Sequence, residues 1–467
     1  MNDITFAAGS KIELAPVASD PGYWLDNNVT LFTVDSGTTL DLANVSLGLY
    51  KLEDQTGGNY GVASTLNKAE DAIKGSTTLT PNIVAGAVVV DDIIAKGLAV
   101  GATAAQQAAF LGVLNAVNKI DAASASLTPA QTQEAYKQLF GESLVNVTAS
   151  VSATVLKTQT VVFNRLDRVR EIEISNLTPP AAGSGDELNR VWVGGFGLWA
   201  KEDDSSVVSG YDYAGGGFAL GFDREVGAVP GLRFGISGAY ANGRLKNNDQ
   251  RTSVDMSTLG IGVYGSYLLP NNAFFDANVA YASTRNEYTT NLIAGGVKTG
   301  TFHVNSWMFG VRGGYVFKGD SYQIIPSIGV KYVFLRQGAF ADTLDAVAQG
   351  NTLANAYRSR TDHQVDIPVQ IKFNTTVHAG SATLTPELRL GYNFAVDKLD
   401  NAMRVGFVGS PQTFEITGTR SRGNSFQAGV GLKVNTGGVV DAFVNYDLDA
   451  SKDYISHSAS LGLGFEF

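Results

Sequence analysis

The sequence predicts an all-β membrane protein: a twelve-stranded antiparallel transmembrane β-barrel with a lumen α-helix, preceded by a helical segment and a β-helix remnant. Three observations carry this. First, the terminal residues alternate strictly: Ala459, Leu461, Leu463, Phe465 and Phe467 share one face of an extended strand, while Ser458, Ser460, Gly462, Gly464 and Glu466 share the other. That is the period of a strand with one apolar and one polar side, and an ending on an aromatic suits the last seam of a lipid-facing barrel. Second, amphipathic strands recur from Leu188 to Phe467. Third, the connections between them alternate, short then long, an asymmetry that a soluble sandwich has no reason to keep.

Composition agrees. A chain of 467 residues is too long for one small domain. It carries 53 glycines and only 17% charged residues, which fits strands with small side chains on one side. No run of about 18 apolar residues occurs, so no transmembrane helix is expected; barrel strands dilute that signal by alternating. The net charge of −10 argues against a nucleic-acid partner. With no cysteine, disulfides and thiolate chemistry are excluded. The start, Met1 to Phe6, has neither a basic segment nor an apolar core, so the chain is expected to be a piece of a longer one whose export signal lies upstream.

In chain order, residues 1–52 are rich in Gly, Ser, Thr and Asp, and Phe6–Ala15 matches Val34–Ala43 without gaps. Gly9 falls on Gly37, Ile12 on Leu40 and Leu14 on Leu42, an offset of 28. A repeat of that size with glycine turns reads as solenoid rungs, although two similar hairpins give the same match. Residues 60–140 turn Ala-, Leu- and Val-rich and read as helical. Pro81 and Pro129 fit a helix's first turn, and Thr128 with Gln131 forms a capping-box signature. Over 142–172 the seam Leu144, Val147, Val151, Val155, Val162, Leu166 and Val169 has helical spacing. Val145 through Val155 also alternate like a strand, so periodicity leaves that half open; Thr160–Arg170 reads as helix. Pro179–Gly185 breaks the chain.

Strands are then expected near 188–201, 208–223, 230–246, 252–269, 272–288, 300–318, 321–336, 357–375, 381–397, 421–436, 438–449 and 455–467. The count of twelve holds only if 403–417 belongs to a loop. Short connections fall at Gly227–Pro230, Pro270–Asn272, Lys318–Asp320, Ala379–Gly380 and Thr436–Gly438, and long ones at 337–356 and 398–420. Eight strands leave room only for side chains and sixteen leave a channel. Twelve should leave a lumen close to one helix in width, about 10–12 Å.

Gln133–Ser143 and Phe163–Arg168 resemble the segment before the translocator barrel of type V autotransporters. Val191–Gly197, Gly210–Asp212 and Gly217–Asp223 resemble that barrel's first strands. The resemblance covers roughly 130–467, and more weakly 80–130. It implies four regions: 1–55, the C-terminal end of a β-helical passenger; 56–141, an Ala-rich, mainly helical junction; 142–187, a pore-threading helix and turn; and 188–467, the twelve-stranded translocator barrel. The lumen helix is expected to present Leu144, Val151, Val155, Val162, Arg165, Leu166 and Arg168. Its arginines, with Arg170, are expected to meet inward acids such as Asp223, Asp366 or Asp441. Lys331, Arg312, Lys372, Glu387 and Arg389 also fall on inward positions, giving a mixed lumen. Phe467, Phe465, Leu463 and Leu461 resemble the terminal signal read by the barrel-assembly machinery.

Nothing points to catalysis. Gly260–Gly265 fits the dinucleotide fingerprint literally, but no helix follows and small residues at alternate positions are ordinary for a lumen face. His303, His363, His378 and His457 lack metal-ligand spacing and read as surface residues, and no nucleophile elbow occurs. One branch of the family cleaves its passenger at an Asn-Asn pair on the lumen helix; here Asn164 stands alone, so self-cleavage is not expected.

The leading expectation is an outer-membrane translocator, not an enzyme, that exports and displays its own passenger at the bacterial surface. It is expected to need no cofactor or metal. The resemblance adds outer-membrane lipid and lipopolysaccharide, the assembly machinery and periplasmic chaperones as partners of a monomeric barrel. The alternatives are a non-secretory porin or structural barrel, and the membrane anchor of a surface hydrolase whose catalytic part lies upstream.

Overall fold

A computed structural model describes residues 4–5, 10–11, 30–33, 40–41, 45–46, 48–55, 59–174, 189–379, 382–418, 423–435 and 440–466. Twelve strands close on themselves: β1 (Asn189–Glu202), β2 (Tyr211–Glu225), β3 (Leu232–Asn247), β4 (Thr252–Leu268), β5 (Ala273–Asn291), β6 (Val297–Tyr315), β7 (Tyr322–Gln337), β8 (Arg360–Thr375), β9 (Ala382–Asp397), β10 (Ser425–Asn435), β11 (Val440–Ala450) and β12 (Tyr454–Glu466). Every neighbour is antiparallel. The seam runs from Tyr454 opposite Glu202 to Glu466 opposite Arg190, which leaves no free edge. Along each strand exposed apolar residues alternate with buried polar ones, as at Leu388, Leu390 and Tyr392 against Glu387, Arg389 and Asn393. In a soluble protein that arrangement would be inside out; a strand facing lipid requires it.

One end carries short turns. Asn272 (φ 67°) and Gly231 (φ 78°) supply the left-handed residues that the tight connections 269–272 and 226–231 demand. The turns expected at Ala379–Gly380 and Thr436–Gly438 lie partly or wholly outside the described residues. At the other end the long connections fold together. Segments 340–341, 355–357, 402–407 and 413–417 make a separate four-stranded sheet. The hairpin expected to lie in a loop is thus a pair of strands outside the barrel.

Over that sheet sits a helical cap of α1 (Ala69–Lys74), α2 (Pro81–Gly97), α3 (Ala104–Ala123) and α4 (Pro129–Leu139). Thr128 and Gln131 form the expected capping box, and Thr103 with Gln106 forms a second. Thr80 caps α2, with Pro81 at its first position. Phe110, Leu114 and Val117 of α3, Ile83 and Val90 of α2, and Tyr136 and Phe140 share one apolar core with Phe407 and Phe414 of the loop sheet. The end of α4 is held by the barrel and the loop sheet: Lys298 of β6 donates to the Gln138 carbonyl (3.0 Å) and Asn355 to that of Leu139 (3.0 Å). A cation is favoured there by the unpaired carbonyls of a helix C-terminus. Gly141 (φ 78°) turns the chain, and α5 (Val147–Ile174) leaves the cap bent by 77° from α4.

Three expectations need correction. Leu144 is not on the lumen helix; it lies in the short turn 142–144 that Gly141 creates. The division at 55/56 cuts a hairpin, since 50–54 pairs with 59–66, and residues 59–66 are strand rather than helical junction. Tyr50 and Val62 belong to the cap's core, and the Leu49 amide donates to Asn118 of α3 (2.8 Å). Alternation over eight residues was masked there by Ala and Ser, which suit either element. Finally, Ile4 pairs in parallel with Leu40 and Ser10 with Val45, offsets of 36 and 35. Stacking of parallel strands fits solenoid rungs, but the ungapped offset of 28 counted matching residues without the length of chain spent at corners. The other matched positions lie outside the described residues, Leu40 excepted.

The cap also holds two acids against their nature. Burial pushes Glu142 up to about 7, opposed by Lys137 at 3.6 Å and an Asn82 hydrogen bond of 3.0 Å. Burial and the adjacent Asp249 push Glu134 up to about 8. A carboxyl whose pKa is raised on folding favours the folded state while protonated, so its cost is absent below the unfolded value and complete above the folded one. The cap should therefore lose stability as pH rises from about 4.5 through 7, by on the order of 3 kcal/mol for Glu142 alone. Exchange protection of α2–α4 amides, corrected for intrinsic rates, should fall across that window, and Glu142→Gln should flatten the step.

Candidate functional site: the helix-filled lumen

A helix of 28 residues, about 42 Å long at 1.5 Å per residue, fills the barrel. Sequence left 145–155 open between helix and strand; the lumen decides it. A closed barrel offers no strand edge, so only a segment that satisfies its own amides fits there without leaving them orphaned.

The helix does not stand centrally. Val161, Val162, Phe163 and Leu166 pack against Trp192, Phe196, Ala219, Ala241 and Tyr264 on β1–β4, a dry contact on one wall. Beyond that wall, Gly310 on β6 also lets the helix lie close, because a Cβ there would come within 2.5 Å of the Gln159 amide nitrogen. On the opposite side lies a polar chamber of about 150 Å³ bordered by Lys157, Lys331, Asp366, Arg389 and Asp447.

Along its length the helix changes chemistry. Near the cap its contacts are neutral or singly charged: Thr148 donates to Asn401 (3.1 Å), Ser152 to Gln364 (2.9 Å), and Thr154 shares a bond with Tyr213 (2.6 Å). Lys157 meets Asp447 at 3.2 Å. Toward the short-turn end every turn is ionic. Arg165 reaches Asp223 (3.2 Å) and Asp441 (3.5 Å), and Arg168 also pairs with Asp441. Arg170 and Arg312 both grip Asp276 at 2.6 Å, while Arg312 and Lys372 grip Asp167 from the wall. Glu171 takes Lys433 and Lys372, and Glu173 takes Arg233 (3.2 Å) and Arg190 (3.8 Å). Arg170 also lies over the Phe274 ring at 3.6 Å. These groups are almost wholly buried, where an ion pair is tolerable only if its partners are complete.

Of the residues singled out from sequence, the lumen brings together Arg165, Arg168, Asp223, Asp441, Arg312 and Lys372. It leaves others apart. Asp366 meets no helix arginine; it accepts from Gln364 (2.7 Å) beside the chamber. Glu387 and Arg389 pair with each other, and then with Lys433 (2.6 Å) and Asp447 (2.7 Å), not with helix cations. Val151, Val155, Val162 and Leu166 are buried on α5. Sequence reasoning missed Asp167, Glu171, Glu173, Asp276, Arg233 and Lys433. The signal was present: each wall residue keeps the inward parity of its strand, and 167 and 171 stand one helical turn apart. At the terminal strand, Leu461, Leu463 and Phe465 face outward and are exposed; Phe467 lies outside the described residues. Among the described residues no cluster of metal-ligating side chains occurs.

Removing one acid should expose how the network is built. Asp276→Ala leaves Arg170 without its 2.6 Å wall partner and Arg312 with Asp167 alone, a loss of about 3–5 kcal/mol for a broken buried pair. The variant should unfold on gels at a lower temperature, with the midpoint followed by heat-modifiable mobility.

Residues 191–447 match the family described as the autotransporter beta-domain. Outer membrane protein A of Rickettsia conorii is 23% identical over 360 residues, which is 73% of this chain and 17% of that protein. The Rickettsia rickettsii protein of the same name is 22% identical over 361 residues, 16% of its length. The chain thus spans about a sixth of these relatives. Among solved structures, the translocator domain of autotransporter NalP from Neisseria meningitidis superposes with a TM-score of 0.48 at 15% identity, covering 68% of this chain and 99% of that one.

Proposed function

Since the chain belongs to the autotransporter family through its β-domain, we propose that it anchors, exports and displays its own N-terminal passenger at the bacterial surface from a barrel in the outer membrane. One observation carries this reading. The barrel's first strand starts at the short-turn end, yet residues 48–55 and 59–139 sit at the long-loop end, and α5 runs through the lumen from the one end toward the other. That is the path left by a segment that has passed through the pore. A diffusion porin has no use for a lumen occupied by a helix that buried ion pairs hold in place, so the porin reading is the weaker one. The cap would fold only after emerging, because a bundle of helices is wider than a lumen sized for one. Outer-leaflet lipid, periplasmic chaperones and the assembly machinery would then be the partners of a monomeric barrel, and the outward row Leu461, Leu463, Phe465 with Phe467 its assembly signal.

An epitope placed before Met1, behind a signal sequence, should be reached by antibody and by added protease on intact cells. An epitope that stays protected while the barrel is heat-modifiable would overturn display. In a planar bilayer the full chain should be nearly closed, and deletion of 142–178 should raise single-channel conductance severalfold; equal conductance would favour the porin.

Removing Phe467 should separate signal from packing. A rim aromatic contributes only about 1–2 kcal/mol by buried area, so the variant should refold in detergent yet accumulate unassembled in cells. Normal assembly in cells would make the terminal aromatic ordinary packing.

A further inference from the structure

The outward face of β5, β6 and β7 at the long-loop end carries a row of cationic and donor side chains that neither the lumen nor the cap uses. Arg285 on β5 stands directly opposite His303 on β6. Arg336 on β7 stands opposite Asn305, one outward position from His303. All three are exposed, and no described residue pairs with the Arg336 side chain. The outward acids nearby each have a partner: Glu287 sits on Arg285 itself (2.5 Å), Asp255 on Arg244 (2.9 Å), and Asp397 lies beside the His363 ring (2.9 Å).

The row has a fixed height. Directly beneath it the same faces become aromatic: Tyr281 opposite Trp307, Trp307 opposite Phe334, and Phe309 opposite Tyr332. Tyr281 donates to Asn305 (3.1 Å), and its ring packs on Trp307 at 5.1 Å. From Trp307 the outward residues of β6, and of the segment 317–318 that follows it, stay apolar or small to Phe317. At about 3.3 Å per residue along a tilted strand, that spans about 25 Å, the height of a barrel's apolar band. Arg336 therefore stands two residues, and Arg285 and His303 four, above the aromatic girdle, at the level of lipid headgroups.

An open apolar groove also runs down the outer face from Tyr281 and Trp307, between Leu220, Ile236, Ile261 and Val279. It exists because β3 has Gly238 at an outward position where a Cβ would meet nothing closer than 4.0 Å. A groove of acyl-chain width that begins under a cationic row is complementary to an amphiphile with a negative head. We propose that this face binds an outer-leaflet glycolipid of the multiply acylated, bis-phosphorylated class, its phosphate at Arg285, His303 and Arg336 and one acyl chain along the Gly238 groove. Phosphate is favoured over carboxylate because guanidinium groups from two strands can converge on one tetrahedral anion. The proposal rests on the outer-membrane reading above.

Native mass spectrometry of the full chain released from detergent, titrated with lipid A, the same lipid dephosphorylated, and phosphatidylglycerol, tests it. Lipid A should bind most tightly. Arg285→Ser and Arg336→Ser should each weaken it about fivefold, roughly the effect of one surface cation on an anionic lipid, without changing affinity for the dephosphorylated lipid. Gly238→Trp should weaken all acylated probes by filling the groove, and Glu287→Gln should tighten lipid A by freeing Arg285. Unchanged lipid A binding in the double arginine variant, or phosphatidylglycerol binding as tightly as lipid A, would overturn the proposal. Heat-modifiable mobility and co-fractionation with outer membranes report separately on the barrel: a wild-type chain lacking both would overturn the outer-membrane reading, whereas a chain showing both with no lipid preference would overturn the glycolipid site alone.

Discussion

A helix that enters a closed barrel brings its side chains into a space where water is scarce and the wall is fixed. Everything else in this structure depends on how that demand is met. The backbone of α5 satisfies itself, so the cost falls on side chains, and the charged ones are matched almost group for group. Asp167 alone is approached by Arg170 from its own helix and by Arg312 and Lys372 from two different wall strands. Single acids shared by several cations are geometrically demanding, since each added partner removes freedom from the rest. The network therefore fixes the helix in rotation and height more firmly than apolar contact would. It also ties β1, β2, β3, β5, β6, β8, β10 and β11 to one central element.

The ion pairs are not evenly spread. Near the cap α5 relies on hydroxyls and amides; near the short-turn end it relies on charge. Hydroxyl contacts can be exchanged for water at little cost, whereas the buried charges at the other end tolerate no intermediate position. The position of α5 along the lumen is thus set by its charged turns and not by its hydroxyls. The apolar patch of Val161, Val162, Phe163 and Leu166 sits just before those turns and presses the helix to one wall. The chamber on the far side is what that eccentricity leaves behind.

The cap closes the long-loop end by a different means, a large apolar core shared with the loop sheet. Its few polar ties are placed where they set orientation: Asn82 exchanges two bonds with the Thr417 backbone, and Lys298 and Asn355 hold the end of α4. Charged layers below and an apolar core above respond to different conditions. Wall substitutions act on the first, whose burial shields it from salt, and pH acts on the second through Glu142 and Glu134.

Much of this was legible in the sequence. Period-two alternation gave the strands and their outward faces, because a strand in lipid must segregate its side chains whatever its neighbours are; the count of twelve also needed 403–417 to be set apart, and 402–407 and 413–417 are strands outside the barrel. The capping signature at Thr128 gave the start of α4, because a cap is local chemistry. The inward parity of Asp223, Arg312, Lys372 and Asp441 was likewise readable. Which of them would meet was not. Pairing across a lumen depends on the helix's rotation, and that is set by the Val162–Leu166 patch, the gap at Gly310 and the bend at Gly141 acting together. The same holds at the other sites of error. Val145–Val155 was poised between helix and strand until the absence of a free edge decided it. Residues 50–54 looked like the end of the repeat region and 60–66 like the start of a helical one until they paired and Tyr50 and Val62 found the cap's core. Local pattern determined what each segment could be, and only tertiary structure decided its partner, because a partner is a matter of position in space and the sequence specifies position only through all of its contacts at once.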